Sequence, residues 1–249
     1  MKDKLNYDLE TIATNYHNAS SSDMHIENAM QEFEWPWIQR QIKQNSNILD
    51  LGYGDGISLR NLMAISETLK LKVTLLEGAP TLAKKALEQS VDDNVDVVLT
   101  YFEDFKKKNA FDLIIASHVL EHVNQPEVLL DVLFDNAKVG AELIGIVPNK
   151  DSVHRRLAVI MGLQEKRDDL SERDHKVGHQ RVFGTDTLSA LFKSSKWELV
   201  GMKGFFLKPL SNSQMLGYSD SLIDALFKIA DEIPIDLCAN IGFIARKVN

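Results

Sequence analysis

The sequence has little cysteine, no long apolar run and no excess of positive charge. A single cysteine, Cys238, among 249 residues excludes a framework of disulfide bonds. No apolar run approaches the ~18 residues that a membrane-spanning helix needs, and the polar N-terminus lacks the features of a signal peptide. A net charge of −8 disfavours non-specific binding to nucleic acid. We therefore expect a cytoplasmic protein that uses neither a membrane nor a nucleic acid as a partner, and the sequence leaves its oligomeric state open.

The sequence does contain enough apolar material for a large core. Hydrophobic residues make up 44% of the chain, a share that is typical of a folded domain. Neither an internal repeat nor a low-complexity segment is present. At this length we predict one domain over residues 1–249.

Short apolar runs alternate with helical patterns through the middle of the chain. The apolar runs are uninterrupted, as in strands that helices cover on both faces of a parallel sheet. This alternation predicts an α/β fold with a doubly wound, mostly parallel sheet. The predicted strands are 47–51, 73–76, 95–99, 111–116 and 141–147, and the predicted helices between them are 56–69, 80–90 and 126–138.

The rest of the chain is assigned by its position around this alternation. Residues 1–45 are predicted to form a helical lid, 46–149 the cofactor-binding half, 150–183 an insertion on the substrate side and 184–249 the end of the sheet. Within the last part, the predicted helices are 185–194 and 219–231, and the predicted strands are 197–203 and 239–246.

The turn after the first predicted strand carries the strongest chemical signal. Asp50 is followed there by Gly52, Tyr53, Gly54 and Gly56. Glycines let backbone amides approach a ligand closely, and such a turn is the usual nucleotide site of an open α/β sheet. The third glycine comes one residue too early for the pattern that binds a pyrophosphate. Because Asp50 would repel a phosphate and attract an ammonium group, the turn favours S-adenosylmethionine over a dinucleotide.

Further candidate ligand-binding residues follow the next two predicted strands. Glu77 ends the second strand, where an acidic side chain can accept both hydroxyls of a ribose. The alternative is that Glu77 is a solvated carboxylate at the start of a loop. Gly78 and Ala79 leave room for a flat base, and Phe102 and Glu103 come after the third strand, where they can meet the edge of an adenine.

Ser117 and His118 follow the fourth predicted strand and should lie beside the methionine part of the ligand, because the carboxyl ends of the strands face it. His118, Glu121 and His122 form an H-x-x-E-H pattern, which on a helix would indicate a zinc protease. Here the pattern begins at the end of a strand. We interpret Glu121 and His122 as local structure and predict no metal, and a divalent ion held by this pair is the alternative.

Together these motifs resemble those of class I S-adenosylmethionine-dependent methyltransferases, above all the branch of the ubiquinone-biosynthesis O-methyltransferases. The motifs that carry the resemblance are Asp-Leu-Gly-Tyr-Gly-Asp-Gly at 50–56, Glu77, Glu-Asp-Phe at 103–105, Phe-Asp-Leu-Ile at 111–114 and Ser-His-Val-Leu-Glu-His-Val at 117–123. The resemblance implies a seven-stranded sheet of order 3-2-1-4-5-7-6 with the last strand antiparallel.

The resemblance also implies a cofactor, S-adenosylmethionine, and a set of contacts to it. Asp50, Gly52 and Gly54 would contact the methionine part, Glu77 the ribose, the region of Glu103 the adenine, and Ser117 with His118 the methionine side. Tyr53 departs from the family, whose members commonly have a small residue or cysteine there, and it should narrow the floor of the site.

The segment after the fifth strand gives the best indication of the acceptor. Residues 150–181 carry eight Lys or Arg against six Asp or Glu, whereas the rest of the chain has 20 bases and 30 acids. Arg155 and Arg156 could grip a phosphate or a carboxylate, or could be solvated charges of a helix. We therefore predict O-methylation of a small anionic acceptor, such as a phosphorylated or nucleotide-linked sugar. Tyr16 is a further candidate for contact with this acceptor.

A hydroxyl acceptor needs a base that removes its proton, and histidine suits this role near neutral pH. The candidate bases are His118, His154 and His179.

Two other functions stay open: a module that binds the cofactor without catalysis, and a nicotinamide-dependent dehydrogenase, which the glycine spacing disfavours. Aromatic candidates for the lid are Tyr7, Tyr16, Phe33, Trp35 and Trp37.

Overall fold

The computed structural model describes residues 9–18, 24–91 and 93–248. Tyr7 lies outside the described residues, and so does the side chain of Tyr16, so their predicted roles stay predictions. None of the helices within the described ranges is both long enough and apolar enough to cross a membrane.

The described residues form one seven-stranded sheet of order β3-β2-β1-β4-β5-β7-β6. Strand β7 runs antiparallel to both β5 and β6, and the other neighbouring strands are parallel. The predicted fold class and strand order are therefore confirmed. The strands are β1 (Asn47–Leu51), β2 (Lys72–Glu77), β3 (Val95–Leu99), β4 (Phe111–Ser117), β5 (Ala137–Pro148), β6 (Glu198–Phe205) and β7 (Asn240–Arg246).

Helices cover both faces of this sheet. Pro80 and Pro126 each open a helix, at the position where the missing N–H of proline costs nothing. The α-helices are α1 (Leu9–Asn18), α2 (Met24–Gln39), α3 (Ile57–Leu69), α4 (Pro80–Gln89), α5 (Pro126–Asn136), α6 (Val153–Ile160), α7 (Glu172–Lys176), α8 (Thr185–Lys193) and α9 (Asp220–Lys228).

Most boundaries lie within two residues of the sequence prediction, and two differ by more. Strand β5 begins at Ala137, four residues earlier than predicted, because Ala137 pairs with Phe111 of β4 ahead of an irregularity in the register. The helix predicted over 219–231 ends as an α-helix at Lys228, and its last turn, Ile229–Asp231, is a 3₁₀-helix. Tightening of a final turn is common at helix ends.

The N-terminal helices belong to the packed structure. Trp35 and Trp37 of α2 are buried against one face of the sheet, and the Trp37 ring meets Phe205 edge-on at a centroid distance of 5.3 Å. Ala13 of α1 packs on Ala79 and Leu82, beside the end of β2. Both helices thereby reach the edge of the sheet at which the parallel strands end.

Gly145 in β5 allows the central strands to come close together, and its substitution should destabilise the fold. A Cβ on this residue would lie 2.6 Å from the carbonyl oxygen of Ala116 and would also strike the ring of Phe243. We expect Gly145→Ala to lower the free energy of unfolding, measured by urea titration, by about 1–3 kcal/mol. Gly201→Ala is the matched control, since nothing lies within 4 Å of its added Cβ. Equal losses in the two variants would contradict this account.

Candidate active site

The carboxyl ends of β1, β2 and β4 open into a cavity of about 370 Å³. Residues from α1, α2, α6 and α7 close it on the other sides. All the predicted cofactor-binding residues line it: Asp50, Gly52, Tyr53, Gly54, Glu77, Gly78, Ala79, Phe102, Glu103, Ser117 and His118. His154, Arg155 and His179 line the same cavity, so the structure brings the two predicted halves of the site together.

The turn between β1 and α3 has a backbone that favours glycine at three positions. Gly52, Gly54 and Gly56 have φ values of 82°, 53° and 73°. Residues that carry a Cβ rarely adopt such values. The amide of Gly52 donates to the carbonyl oxygen of Leu76 at 2.8 Å, which joins the turn to the end of β2. The glycines therefore set the shape of the cavity at the point where the sequence predicts the methionine part of the cofactor.

Glu77 is buried and accepts two backbone hydrogen bonds. Its Oε2 accepts from the amide of Tyr53 at 2.8 Å, and its Oε1 accepts from the amide of Ala79 at 2.7 Å. Burial raises the pKa of Glu77, and these amides partly oppose that effect. This burial excludes the alternative of a solvated loop carboxylate. The side chain holds the turns after β1 and β2 together at the edge of the cavity.

Asp50 is a buried carboxylate that accepts a hydrogen bond from one side chain among the described residues. The hydroxyl of Ser58 donates to its Oδ2 at 2.8 Å, and the residue is only 2% exposed. Burial raises the pKa of Asp50 to about 7, although the bond from Ser58 acts in the opposite direction. Sequence reasoning missed Ser58, whose position in the first turn of α3 was the available signal. A cationic ligand beside Asp50 would favour its ionised form.

Tyr53 connects the glycine turn to α4. Its hydroxyl donates to Oε1 of Gln89 at 2.8 Å, and Nε2 of Gln89 donates to the carbonyl oxygen of Gly56 at 3.1 Å. The phenol occupies the space that a side chain at Gly56 would need. Tyr53, which is larger than the residue common in the family at this position, thus holds the glycine turn against α4 and also lines the cavity.

His118 lies between two buried carboxylates. Its Nε2 is 3.2 Å from Oε2 of Glu34, and its Nδ1 is 3.4 Å from Oε1 of Glu121. Burial acts to lower the pKa of His118, but the two carboxylates outweigh it and hold this pKa well above the ordinary value. The imidazole is therefore protonated near neutral pH. This geometry does not favour the predicted role of His118 as a base.

Glu34 is a site residue that sequence reasoning missed. It lies on α2, is 1% exposed, and also accepts a hydrogen bond from Nδ2 of Asn240 at 2.7 Å. Its position between the aromatic residues Phe33 and Trp35, in a helix that packs on the sheet, was the available signal. Through Glu34, helix α2 is joined to the ends of β4 and β7.

His179 is oriented by a carboxylate. Its Nδ1 is 2.8 Å from Oδ1 of Asp174, and Oδ2 of Asp174 accepts a hydrogen bond from Arg155 at 2.9 Å. Burial acts to raise the pKa of Asp174, but His179 and Arg155 outweigh it and lower this pKa strongly. Asp174 is therefore ionised, and it orients the imidazole of His179, which lines the cavity.

The two arginines predicted to bind the acceptor have protein partners. Besides Asp174, Arg155 donates to the carbonyl oxygen of Asp169 at 2.8 Å. Arg156 donates through Nε to the carbonyl oxygen of Asp151 and is not among the residues that line the cavity. Their predicted contact with an anion stays a prediction that this arrangement does not favour. His154 lines the cavity, and its buried Nδ1 has no hydrogen-bond partner among the described residues.

Three neighbouring side chains could hold a metal ion. One potential ligand atom from each of Glu121, His122 and His179 lies within 4.8 Å of the others. Among the described residues, Nδ1 of His118 lies 3.4 Å from Oε1 of the buried Glu121, and Oε2 has no hydrogen-bond partner there. Burial lowers the pKa of His122 to about 4, so its imidazole is neutral, as a metal ligand must be. The predicted lack of a metal is untested and stays a prediction.

The strand order, the glycine turn and the buried acid at the end of β2 define a Rossmann-like methyltransferase. The family model described as a methyltransferase domain matches residues 26–201, and the chain belongs to this family. The predicted class, that of the S-adenosylmethionine-dependent methyltransferases, is thereby confirmed.

Individual relatives are distant. The mitochondrial ubiquinone biosynthesis O-methyltransferase of Schizosaccharomyces pombe is 23% identical over 183 residues, which cover 72% of this chain and 64% of that protein. The chain thus spans less than two thirds of the length of this curated relative.

Solved structures agree on the fold. A chain from the complex between the Haloferax volcanii Trm112 methyltransferase activator and a methyltransferase superposes with a TM-score of 0.65 at 13% identity, covering 96% of this chain and 98% of that one. An S-adenosylmethionine-dependent methyltransferase from Mesorhizobium loti gives a TM-score of 0.62 at 14% identity, with coverages of 86% and 97%. At such identities the likeness shows the fold alone.

Proposed function

We propose that this protein transfers the methyl group of S-adenosylmethionine to a hydroxyl oxygen of a small anionic metabolite. The observation that carries the proposal is the shared cavity, which joins the glycine turn and Glu77 to a histidine, His179, that Asp174 orients. Membership of the methyltransferase family supports the donor. The acceptor class rests on the charge of the surrounding side chains, and phosphorylated or nucleotide-linked sugars are examples of it.

The donor is assigned to the half of the cavity at the ends of β1, β2 and β4. Asp50 and the glycine turn face the amino-acid part, and Glu77 accepts the ribose hydroxyls in addition to its backbone bonds. The adenine lies between Gly78–Ala79 and Phe102–Glu103. Ser117 and the protonated His118 then flank the methionine. This assignment is supported by the cavity lining and by the resemblance of the motifs.

The reaction is an in-line displacement at the methyl carbon. The acceptor oxygen forms a bond to this carbon as its bond to sulfur breaks, which leaves neutral S-adenosylhomocysteine. The acceptor proton passes to Nε2 of His179. Asp174 favours the tautomer that carries its proton on Nδ1, so Nε2 has a free lone pair. Apolar side chains such as Ile12, Met30 and Trp35 help to exclude water while the reactants are aligned.

Loss of His179 should abolish most turnover while sparing the cofactor site. S-adenosylmethionine and the small-molecule fraction of a cell extract are incubated with each variant, and S-adenosylhomocysteine is followed by mass spectrometry. We expect His179→Gln to slow its formation by about a hundredfold or more, the usual contribution of a general base. His175→Gln is the matched control, because His175 is an exposed histidine of α7, four residues before His179, and does not line the cavity.

Two outcomes would contradict this proposal. Wild-type protein that binds S-adenosylmethionine but forms no S-adenosylhomocysteine would be a cofactor-binding module, the alternative that the sequence left open. Turnover that a chelator removes and a divalent ion restores would assign His179 to a metal cluster with Glu121 and His122. In that case His179 could not be the base. A nicotinamide-dependent dehydrogenase is disfavoured by the family match.

A further inference from the structure

Lys208 follows β6 on a backbone turn that is both strained and firmly anchored. Phe206, two residues earlier, has a φ of 62°, which is an outlier for a bulky residue. Its ring is fully buried and stacks on Phe227 at a centroid distance of 4.3 Å. The amide of Leu207 donates to the carbonyl oxygen of Leu226 at 2.8 Å. Strain that the surroundings enforce is concentrated at functional sites, and this turn places Lys208 in the cavity wall.

The ammonium group of Lys208 differs from the other cations of the cavity. Arg155 pairs with Asp174 at 2.9 Å, and Arg173 pairs with Glu27 at 3.2 Å. No hydrogen bond or ion pair joins Lys208 to another residue within the described ranges. Burial lowers its pKa, and the charges of Glu27, Arg173, Arg155 and Asp174 act on it as well. A partly desolvated charge without a partner is costly, and a bound anion would remove that cost.

His154 supplies a second unsatisfied group beside Lys208. Its Nδ1 is shielded from solvent and has no hydrogen-bond partner among the described residues. Burial, followed by the nearby charges of Lys208 and Arg155, holds the pKa of His154 well below the ordinary value. The imidazole is therefore neutral and can donate one N–H. The cavity wall thus contains a positive charge and a neutral donor, and the described residues leave both of them unused.

We propose that Lys208 and His154 bind an anionic oxygen group of the methyl acceptor, either a carboxylate or a phosphate. This inference deepens the proposed function and rests on it. Lys208 supplies the charge, and His154 donates a hydrogen bond. The arginines that the sequence indicated are committed to Asp174 and to main-chain oxygens, so the anion-binding role moves to a lysine outside the predicted 150–183 insertion.

Calorimetric titrations of the protein saturated with S-adenosylhomocysteine test this site. Inorganic phosphate is the phosphate probe, and benzoate is the carboxylate probe. We expect saturable binding of at least one of them to the wild type. Lys208→Met should weaken it by roughly tenfold to hundredfold, the effect of losing a charged hydrogen bond, and Lys208→Arg should retain most of it. Lys193→Met, an exposed lysine of α8 that does not line the cavity, is the matched control and should change nothing.

The outcomes separate this inference from the proposed function. Binding of phosphate alone or of benzoate alone supports the site and identifies the class of the acceptor's anionic group. S-adenosylhomocysteine bound normally, with neither anion bound at millimolar concentration, would overturn the inference and leave the donor assignment intact. Equal weakening by Lys208→Met and Lys193→Met would overturn it too. Failure of the wild type to bind S-adenosylhomocysteine would instead contradict the proposed function. The anion titrations would then be carried out on protein without S-adenosylhomocysteine, and the same outcomes would decide the inference.

Discussion

Asparagine at position 50 should make the protein more stable above pH 7 and weaken its binding of S-adenosylhomocysteine. Asp50 is buried, and burial raises its pKa from 3.8 to about 7. Such a difference in pKa between the unfolded and the folded chain lowers the free energy of unfolding by up to about 4 kcal/mol when Asp50 is ionised. Asp50→Asn removes this cost together with the charge that we assign to the ligand's ammonium group. Stability would therefore rise as function is lost.

The pH dependence follows from the direction of this shift. Since the folded pKa is the higher one, the cost is fully present above about pH 7, shrinks as the pH falls, and disappears below 3.8. Urea titrations should show the largest gain in the free energy of unfolding at pH 8. Only the ionised carboxylate attracts an ammonium group, so wild-type affinity for S-adenosylhomocysteine should fall about tenfold between pH 8 and pH 6. In Asp50→Asn this dependence should be absent.

Asp96→Asn is the matched control for this prediction, because Asp96 is an exposed aspartate on β3. It should change neither the stability nor the pH dependence of binding. Asp50→Asn that is less stable than wild type at pH 8 would contradict the account of a costly buried charge. An unchanged pH dependence of affinity in that variant would contradict the contact with the ammonium group.

Most of the fold could be predicted because its determinants are local. The run Leu113–Ala116 is apolar at every position, as a strand must be when helices cover both of its faces. Gly52, Gly54 and Gly56 mark a turn that requires positive φ, and the structure has it there. The start of β5 was missed because Ala137 pairs with Phe111 of β4 ahead of an irregularity in the register, and no local pattern reveals that.

The partners of charged residues could not be predicted, because folding brings them together from distant parts of the chain. Glu34 and His118 are 84 positions apart, and their contact turns a candidate base into a protonated partner of a carboxylate. Arg155 was interpreted as a ligand for an anion, but Asp174, 19 positions later, takes its charge. Lys208 has no such partner in the part of the chain that the structure describes, and nothing in its sequence neighbourhood distinguishes it from a surface lysine.

Alanine at position 77 should lower the affinity for S-adenosylhomocysteine by roughly tenfold to hundredfold, or about 1.5–3 kcal/mol, the effect of losing hydrogen bonds to a charged group. Part of this loss has a structural origin, because the amides of Tyr53 and Ala79 would lose the acceptor that joins their two turns. Calorimetry with S-adenosylhomocysteine alone therefore cannot separate the two causes. A second ligand that lacks both ribose hydroxyls separates them.

The affinities of wild type and Glu77→Ala for the two ligands form a thermodynamic cycle. The cycle isolates the free energy of interaction between Glu77 and the ribose hydroxyls. Wild-type protein should bind the ligand without ribose hydroxyls more weakly than S-adenosylhomocysteine, whereas Glu77→Ala should bind the two with similar affinity. Glu88→Ala, an exposed glutamate of α4, should behave as the wild type does. If Glu77→Ala weakens both ligands by the same factor, the carboxylate only holds the turns in place. The proposed contact between Glu77 and the ribose would then be contradicted.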